Sequence, residues 1–287
     1  MSNKKIIIAV AALAILSSTQ NSAAISISEL PATQKNAATS TDTTKNRAAN
    51  NNGQNALSKI QERGGKEIDR RVESLNKLEE RVQSMIKIND SQKNAIIAQL
   101  QTQIESLSAL KARIAAGTSA STTLENEKKI TKEFRVYALT IPRGYIIAAI
   151  DRINNMAQKL QGLSDKLAAK ITETKSNNAA KLQESVADMN TRIANAKTQA
   201  LAAQAKVENL KPDNGDAAIA KSNQEALSAA KELIKTATKD LNYARNAANA
   251  IAKELRKLGI KTNVGLGNAS TTAAINAATT ASTTMGL

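Results

Sequence analysis

Residues 182–210 read LQESVADMNTRIANAKTQALAAQAKVENL, and this stretch decides the fold. Its apolar residues recur at alternating spacings of three and four, the heptad pattern of a helix that buries one narrow stripe against a neighbouring helix. The stripe consists of Leu182, Val186, Met189, Ile193, Ala196, Ala200, Ala203, Val207 and Leu210. Because no polar residue interrupts it, we expect one long helix that packs along its whole length.

A second uninterrupted stripe follows after a chain reversal. Its members are Leu227, Ala230, Ile234, Ala237, Leu241, Ala244, Ala248, Ile251, Leu255 and Leu258. The segment between the stripes, residues 211–216, reads KPDNGD, in which proline stops a helix and Asn-Gly permits a tight turn. If both helices rise equally per residue, facing residues have numbers with a constant sum. A turn near residue 213 then predicts an antiparallel hairpin in which Ile193 faces Ile234.

A third stripe lies upstream and has one polar member, Ser164. Its apolar members are Ile146, Ile150, Ile153, Ala157, Leu160, Leu167 and Ile171. The residue numbers of Leu160 and Ile193 sum to 353 and predict a turn at residues 176–178. The alternative is one uninterrupted rod over residues 146–210 with a stutter in its heptads. We favour the turn, which makes residues 143–258 an antiparallel, coiled-coil-like three-helix bundle.

The N-terminal half predicts another antiparallel hairpin, over residues 56–115. Its stripes are Ile68, Val72, Leu75, Leu78, Val82 and Met85, then Ile97, Leu100, Ile104, Leu107 and Leu110. The pair Val82 and Ile97 sums to 179, with residues 89–91 as turn and N-cap. After the breaker at residues 116–118, we expect a connecting helix over 121–142, capped at Ser121 or Thr122.

Aromatic residues make up only 1% of the chain, and three of the four fall close to Pro142. We expect a helix kinked or broken at Pro142. A strand there would have no partner. Either the rings fill the junction between hairpin and bundle, or aromatic and arginine side chains form a docking surface for a partner. That candidate docking surface comprises Phe134, Arg135, Tyr137, Arg143, Tyr145 and Arg152.

Two segments of this half carry a family resemblance. They are KEIDRRVESLNKLEERVQSM at residues 66–85 and ITKEFRVYALTIPRGYIIAAIDRI at residues 130–153. In order and spacing this region, residues 66–153, resembles uncharacterised secreted helical proteins of candidate-phylum bacteria. The resemblance implies export and helicity, and it implies no activity, ligand or catalytic residue.

The N-terminus has the pattern of a secretory signal peptide over residues 1–24. Lys4 and Lys5 precede an apolar run over residues 6–16, and Ser22-Ala23-Ala24 offers a cleavage site. The run is shorter than the ~20 residues that cross a bilayer. We therefore expect export to the periplasm, cell envelope or extracellular space, with an uncleaved N-terminal anchor as the alternative. Residues 25–55 and 259–287 are rich in Thr, Asn, Ala and Ser and predict a disordered linker and a disordered tail.

Cysteine and histidine are both absent. Thiolate and imidazole chemistry is therefore excluded, as nucleophile, general base or metal ligand. We expect no enzyme, no cofactor and no metal. The formal net charge of +15 is spread along the chain, which is typical of solvated helix surfaces and argues against a nucleic-acid partner.

These patterns predict a non-enzymatic, exported helical scaffold or interaction protein that binds a protein partner or associates with itself. One alternative is a periplasmic holdase-like chaperone. The other is a membrane-active or polyanion-binding helical protein, which would bind a membrane surface or an envelope polyanion.

Overall fold

The computed structural model describes residues 42–174 and 177–262. Within these ranges the chain is helical, as predicted, and contains no strand. The elements are α1 (Asp42–Gln83), α2 (Asp90–Ala115), α3 (Ala120–Lys132), a π-helical turn (Val136–Thr140), α4 (Ile141–Thr172), α5 (Ala179–Val207) and α6 (Ala217–Lys257). Backbone contacts divide the chain into residues 1–45 and 46–287, and the first unit has only residues 42–45 of α1 described. All packing below belongs to the second unit.

The two ends of the described region differ from the expected linker and tail. Residues 42–55 are helical, because extending a helix that is anchored further along costs far less than starting one. At the other end, Gly259 has a φ of 76° and Ile260 N–H donates to the Leu255 carbonyl at 3.0 Å, which closes α6 in a Schellman motif. The signal peptide, the rest of the linker and residues 263–287 of the tail lie outside the described residues.

Helices α4, α5 and α6 each contact the other two, so the predicted three-helix bundle is confirmed. Two helices, and not one rod, cover residues 146–210. The Ser164 hydroxyl contacts Asn190 Oδ1 at 2.7 Å, and Gln161 Nε2 contacts the same oxygen at 3.1 Å. Since 164 and 190 sum to 354, the predicted α4–α5 register is also confirmed.

The predicted register between α5 and α6 is wrong by about one heptad. The carboxylate of Asp240 accepts hydrogen bonds from Arg192 Nη1 and Gln199 Nε2, both at 3.1 Å. Asp240 therefore lies level with residues 192–199, whereas pairing Ile193 with Ile234 would place it near residue 187. Most stripe residues are buried all the same, because a shift of one heptad brings the same stripe back to the interface.

The loop after α5 explains the shift. Asn223 Nδ2 donates to the carbonyl of Lys211 at 2.8 Å, so the chain continues past the end of α5 alongside α6 before it turns. The turn itself uses positive φ angles at Asn214 and Gly215, of 50° and 94°. An extended chain advances about 3.3 Å per residue and a helix about 1.5 Å. Equal rise, which the prediction assumed, therefore does not hold across this loop.

Helices α1 and α2 pack antiparallel in the predicted register. Lys111 Nζ contacts Asp69 Oδ1 at 2.6 Å, and Gln101 Nε2 contacts Glu79 Oε1 at 3.0 Å. Both pairs of residue numbers sum to 180, next to the predicted 179. Asn89 caps α2 by accepting the Gln92 N–H at 2.8 Å.

The connecting helix differs from the prediction in both its ends and its break. Helix α3 follows Ser119, whose side chain makes no cap hydrogen bond, and ends at Lys132. The chain breaks at Arg135, whose φ is 44°, and not at Pro142. Pro142 lies in the first turn of α4, directly after the π turn, a position at which proline is tolerated.

The N-terminal hairpin is completed by the segment that follows it. Arg63 Nη2 of α1 binds Glu127 of α3 at 2.6 Å, and Ser74 Oγ lies 3.2 Å from Tyr137 Oη in the π turn. Helix α1 therefore runs parallel to α3 and the π turn, with a nearly constant offset of 64 and 63 in residue number. Buried side chains from both partners share one core with α2.

Candidate functional site

The junction segment, residues 133–152, presents its tyrosines to α1. The Arg71 guanidinium carbon lies 4.9 Å from the centre of the Tyr137 ring, and that of Arg81 lies 4.7 Å from the Tyr145 ring. Such cation–π contacts stabilise by about 0.5 to 2 kcal/mol, depending on desolvation. The arginines that cover the rings thus come from α1, and not from the junction segment itself.

Two arginines of the junction segment, Arg135 and Arg143, contact the α5–α6 loop instead. Arg135 Nη2 binds Asp213 Oδ1 at 2.7 Å, and Arg143 Nη2 donates to the Glu208 carbonyl at 2.9 Å. Asp213 is buried and also accepts the Gly215 N–H at 2.8 Å. The adjacent Arg135 guanidinium lowers the pKa of Asp213 below its ordinary value. The loop is therefore held against the junction by two arginines.

Asp151 performs a role that the sequence analysis missed. Its buried carboxylate accepts the backbone N–H groups of Ile86, Lys87 and Ile88, the last at 3.0 Å. One side chain of α4 thereby fixes the segment that joins α1 to α2. The signal in the sequence was an acidic residue directly after Ile150, inside the apolar stripe of α4.

The six predicted docking residues do not face one common direction. All six are partly buried. The rings of Phe134, Tyr137 and Tyr145 pack against the N-terminal core. Burial and the nearby charge of Arg81 lower the pKa of Arg152. The rings thus fill the junction, and a docking role for the six residues stays a prediction.

A cleft runs between α2 on one side and α4 with the α5–α6 loop on the other. It consists of two adjoining cavities of about 260 and 400 Å³. The residues that line both cavities are Ile96, Gln99, Arg143 and Ile147. We call this feature the α2–α4 cleft. Its size and largely apolar lining are typical of small-molecule sites, which span ~300 to 1,000 Å³.

Arg143 is the charged group at the middle of the α2–α4 cleft. Burial lowers the pKa of Arg143, and this effect exceeds the opposing effect of Glu208. Among the described residues no hydrogen-bond acceptor reaches its buried Nε. Its Nη2 donates to a neutral carbonyl. The guanidinium is therefore desolvated without the carboxylate partner that Arg135 has in Asp213.

Comparison of the chain with protein-family models, curated proteins and solved structures gave no match. The resemblance over residues 66–153 thus stays an expectation. In the described ranges no helix is long and apolar enough to span a bilayer, and no group of three acidic side chains is placed to hold a metal ion.

Proposed function

We propose that this protein is exported and works as a non-enzymatic helical interaction protein of the cell envelope or extracellular space. The observation that carries the proposal is the α2–α4 cleft, a concave surface lined by apolar and polar side chains, with one desolvated cation at its middle. Support for export comes from the signal-like pattern of residues 1–24. The absence of cysteine and histidine supports a binding role over a catalytic one.

The walls of the cleft are held in place before anything binds. Asp151 fixes the start of the α2 wall through three backbone N–H groups. The ion pair of Arg135 with Asp213 fixes the loop that forms the opposite wall. A site that is already ordered loses less conformational entropy on binding. This arrangement favours recognition by the cleft.

Export is tested by cell fractionation and N-terminal sequencing of the protein produced from its full gene. We expect a product that begins near Ile25 and that is recovered outside the cytoplasm. A Leu13→Asp variant, which interrupts the apolar run, should stay unprocessed in the cytoplasm. Recovery of unprocessed wild-type protein from the cytoplasm would contradict export.

Interaction through the cleft is tested by proximity labelling in the producing cell, with light scattering to report self-association. The blocking variant is Ala95→Trp, because Ala95 is exposed and lines the cleft. The matched control is Ala98→Trp, an exposed site on the same helix outside the cleft lining. We expect Ala95→Trp to lose neighbours that wild type and the control retain. Identical neighbours and a monomer in all three would overturn the proposal.

A further inference from the structure

The charge of Arg143 favours the binding of an anionic group inside the α2–α4 cleft. Its Nε is buried and has no acceptor among the described residues, and its Nη2 donates to the neutral Glu208 carbonyl, whereas Nη2 of Arg135 binds the Asp213 carboxylate at 2.7 Å. A buried guanidinium nitrogen without an acceptor is costly even with the Glu208 charge nearby, and an anionic group delivered to that nitrogen reduces the cost. A carboxylate suits a guanidinium especially well, because its two oxygens match the planar fork of donors.

The apolar side chains beside Arg143 favour the binding of an aliphatic chain. Ile88, Ile150 and Val207 line the first cavity, and Leu139 and Leu210 line the second. Arg143 lines both cavities, and a chain that starts at its guanidinium and enters the first cavity, the one that Ala95 also lines, extends along Ile88 and Ile150. Aliphatic ligands gain affinity chiefly from the apolar area that they bury in such a site.

Two other charged side chains that line the first cavity already make hydrogen bonds within the protein. The oxygens of Asp151 accept three backbone N–H groups, and Lys87 Nζ donates to Gln158. Glu208 raises the pKa of Arg143 and so acts on the same guanidinium. Because a nearby carboxylate repels additional negative charge, a singly charged head group fits better than a doubly charged phosphate.

We infer that the α2–α4 cleft binds an aliphatic carboxylate of the fatty-acid class, with the carboxylate paired to Arg143 and the chain lying along the isoleucine-rich walls. The inference deepens the proposed function and rests on it, since it names the ligand class of the same cleft. The proposed ligand is the free acid and not a lipid of a bilayer.

The test is calorimetric titration of the full mature chain with dodecanoate, dodecanol and dodecyltrimethylammonium. We expect dodecanoate to bind one site and more tightly than the neutral and cationic probes. Arg143→Gln should weaken dodecanoate binding by about tenfold or more and leave dodecanol binding unchanged, since a hydrogen-bonded charge is lost. Arg143→Lys should be intermediate. No dodecanoate binding by wild type, or equal binding of all three probes, overturns the inference.

Two further variants show whether a change in dodecanoate binding arises at the α2–α4 cleft. Arg113→Gln removes the same charge from an exposed position of α2 that does not line the cleft, and it should bind as wild type does. Ala95→Trp blocks the cleft from an exposed position, so it tests the site even if Arg143→Gln unfolds. Circular dichroism reports whether each variant is folded. Dodecanoate binding that survives in folded Ala95→Trp overturns the inference.

Two further comparisons distinguish the free acid from a membrane surface, and a failure of the ligand class from a failure of the proposed function. Vesicles of phosphatidylglycerol distinguish a membrane surface from the free acid. The inference is overturned if the protein binds these vesicles but not dodecanoate, and if Arg143→Gln and Ala95→Trp leave the vesicle binding unchanged. If dodecanoate fails to bind but the proximity-labelled neighbours still depend on the cleft, the ligand class is wrong and the proposed function stands. If dodecanoate binds but no neighbour depends on the cleft, a small-molecule carrier replaces the macromolecular interaction protein.

Discussion

Leu78 of α1 and Gly144 of α4 lie in direct contact where the two helices cross. A Cβ placed on Gly144 would come within 2.5 Å of both methyl carbons of Leu78, which is buried. Glycine at this position therefore permits the close approach of α1 to α4. The same crossing brings Arg81 to the Tyr145 ring one residue further along α4.

Replacing Gly144 by alanine should destabilise the protein, although alanine favours helix. We expect the free energy of unfolding to fall by about 1 to 3 kcal/mol, the usual cost of overpacking a core. At Gly162, in the same helix, an added Cβ meets nothing within 4 Å, so Gly162→Ala should stabilise by about 0.5 to 1 kcal/mol. Urea unfolding followed by circular dichroism measures both. Strict additivity of Leu78→Ala with Gly144→Ala would show that the two residues are not coupled.

Replacing Asp151 by alanine should release the segment that joins α1 to α2. Three backbone N–H groups lose their acceptor, and we expect a loss of about 1 to 3 kcal/mol in the free energy of unfolding. Hydrogen exchange at Ile86, Lys87 and Ile88 should accelerate. Asp165→Ala, at an exposed position of the same helix, should change stability by less than about 0.5 kcal/mol. Unchanged exchange at the three amides in Asp151→Ala would contradict this role.

The contact of Arg135 with Asp213 should make stability depend on pH. Since the pKa of Asp213 is lowered in the folded state, the stabilisation is complete above the unfolded pKa of about 3.9 and is lost as the pH falls through the lowered folded value. We expect the difference in free energy of unfolding between wild type and Asp213→Asn to be largest near neutral pH and to shrink below about pH 4. Urea unfolding across an acid pH series measures it. A difference that does not vary with pH would rule out the charge effect.

The α5–α6 register predicts the order of two distances. The chain has no cysteine, so paired spin labels can be introduced at exposed residues 188, 239 and 250 without interference. We expect the distance from 188 to 250 to be shorter than that from 188 to 239, two positions that lie about 16 Å apart along α6. Electron-spin distance measurement gives both values. The opposite order would restore the register in which Ile193 faces Ile234.

Much of the fold follows from local patterns in the sequence. Most residues of the stripes that predicted the helices are buried. Val72, Ile104 and Ile234, inside their helices, are partly exposed, and Leu258, at the end of α6, is 40% exposed. The α4–α5 register was predictable because few residues separate the end of α4 from the start of α5, which allows few alternatives. The break at Arg135 was not predictable, since Pro142 is the stronger local signal for a helix end and only packing against α1 places the break earlier.

The candidate site was predictable only in part. The sequence singled out Arg143, but it did not indicate the cleft in which Arg143 lies or the desolvation of its guanidinium. Both depend on α2, which is remote in sequence from α4 and the α5–α6 loop. Asp151 was missed for the same reason, because its partners are backbone groups and leave no residue-type signal.

The sequence by itself determined most of the helices and the stripe that each of them buries, because both depend on spacing along the chain. It did not determine that residues 42–55 are helical or that the chain breaks at Arg135. Only the tertiary structure decided how far α6 is shifted along α5 and what the junction arginines contact. A heptad stripe fits equally well after a shift of seven residues. The extended loop, with its contacts from Arg135 to Asp213 and from Asn223 to Lys211, selects one of these registers.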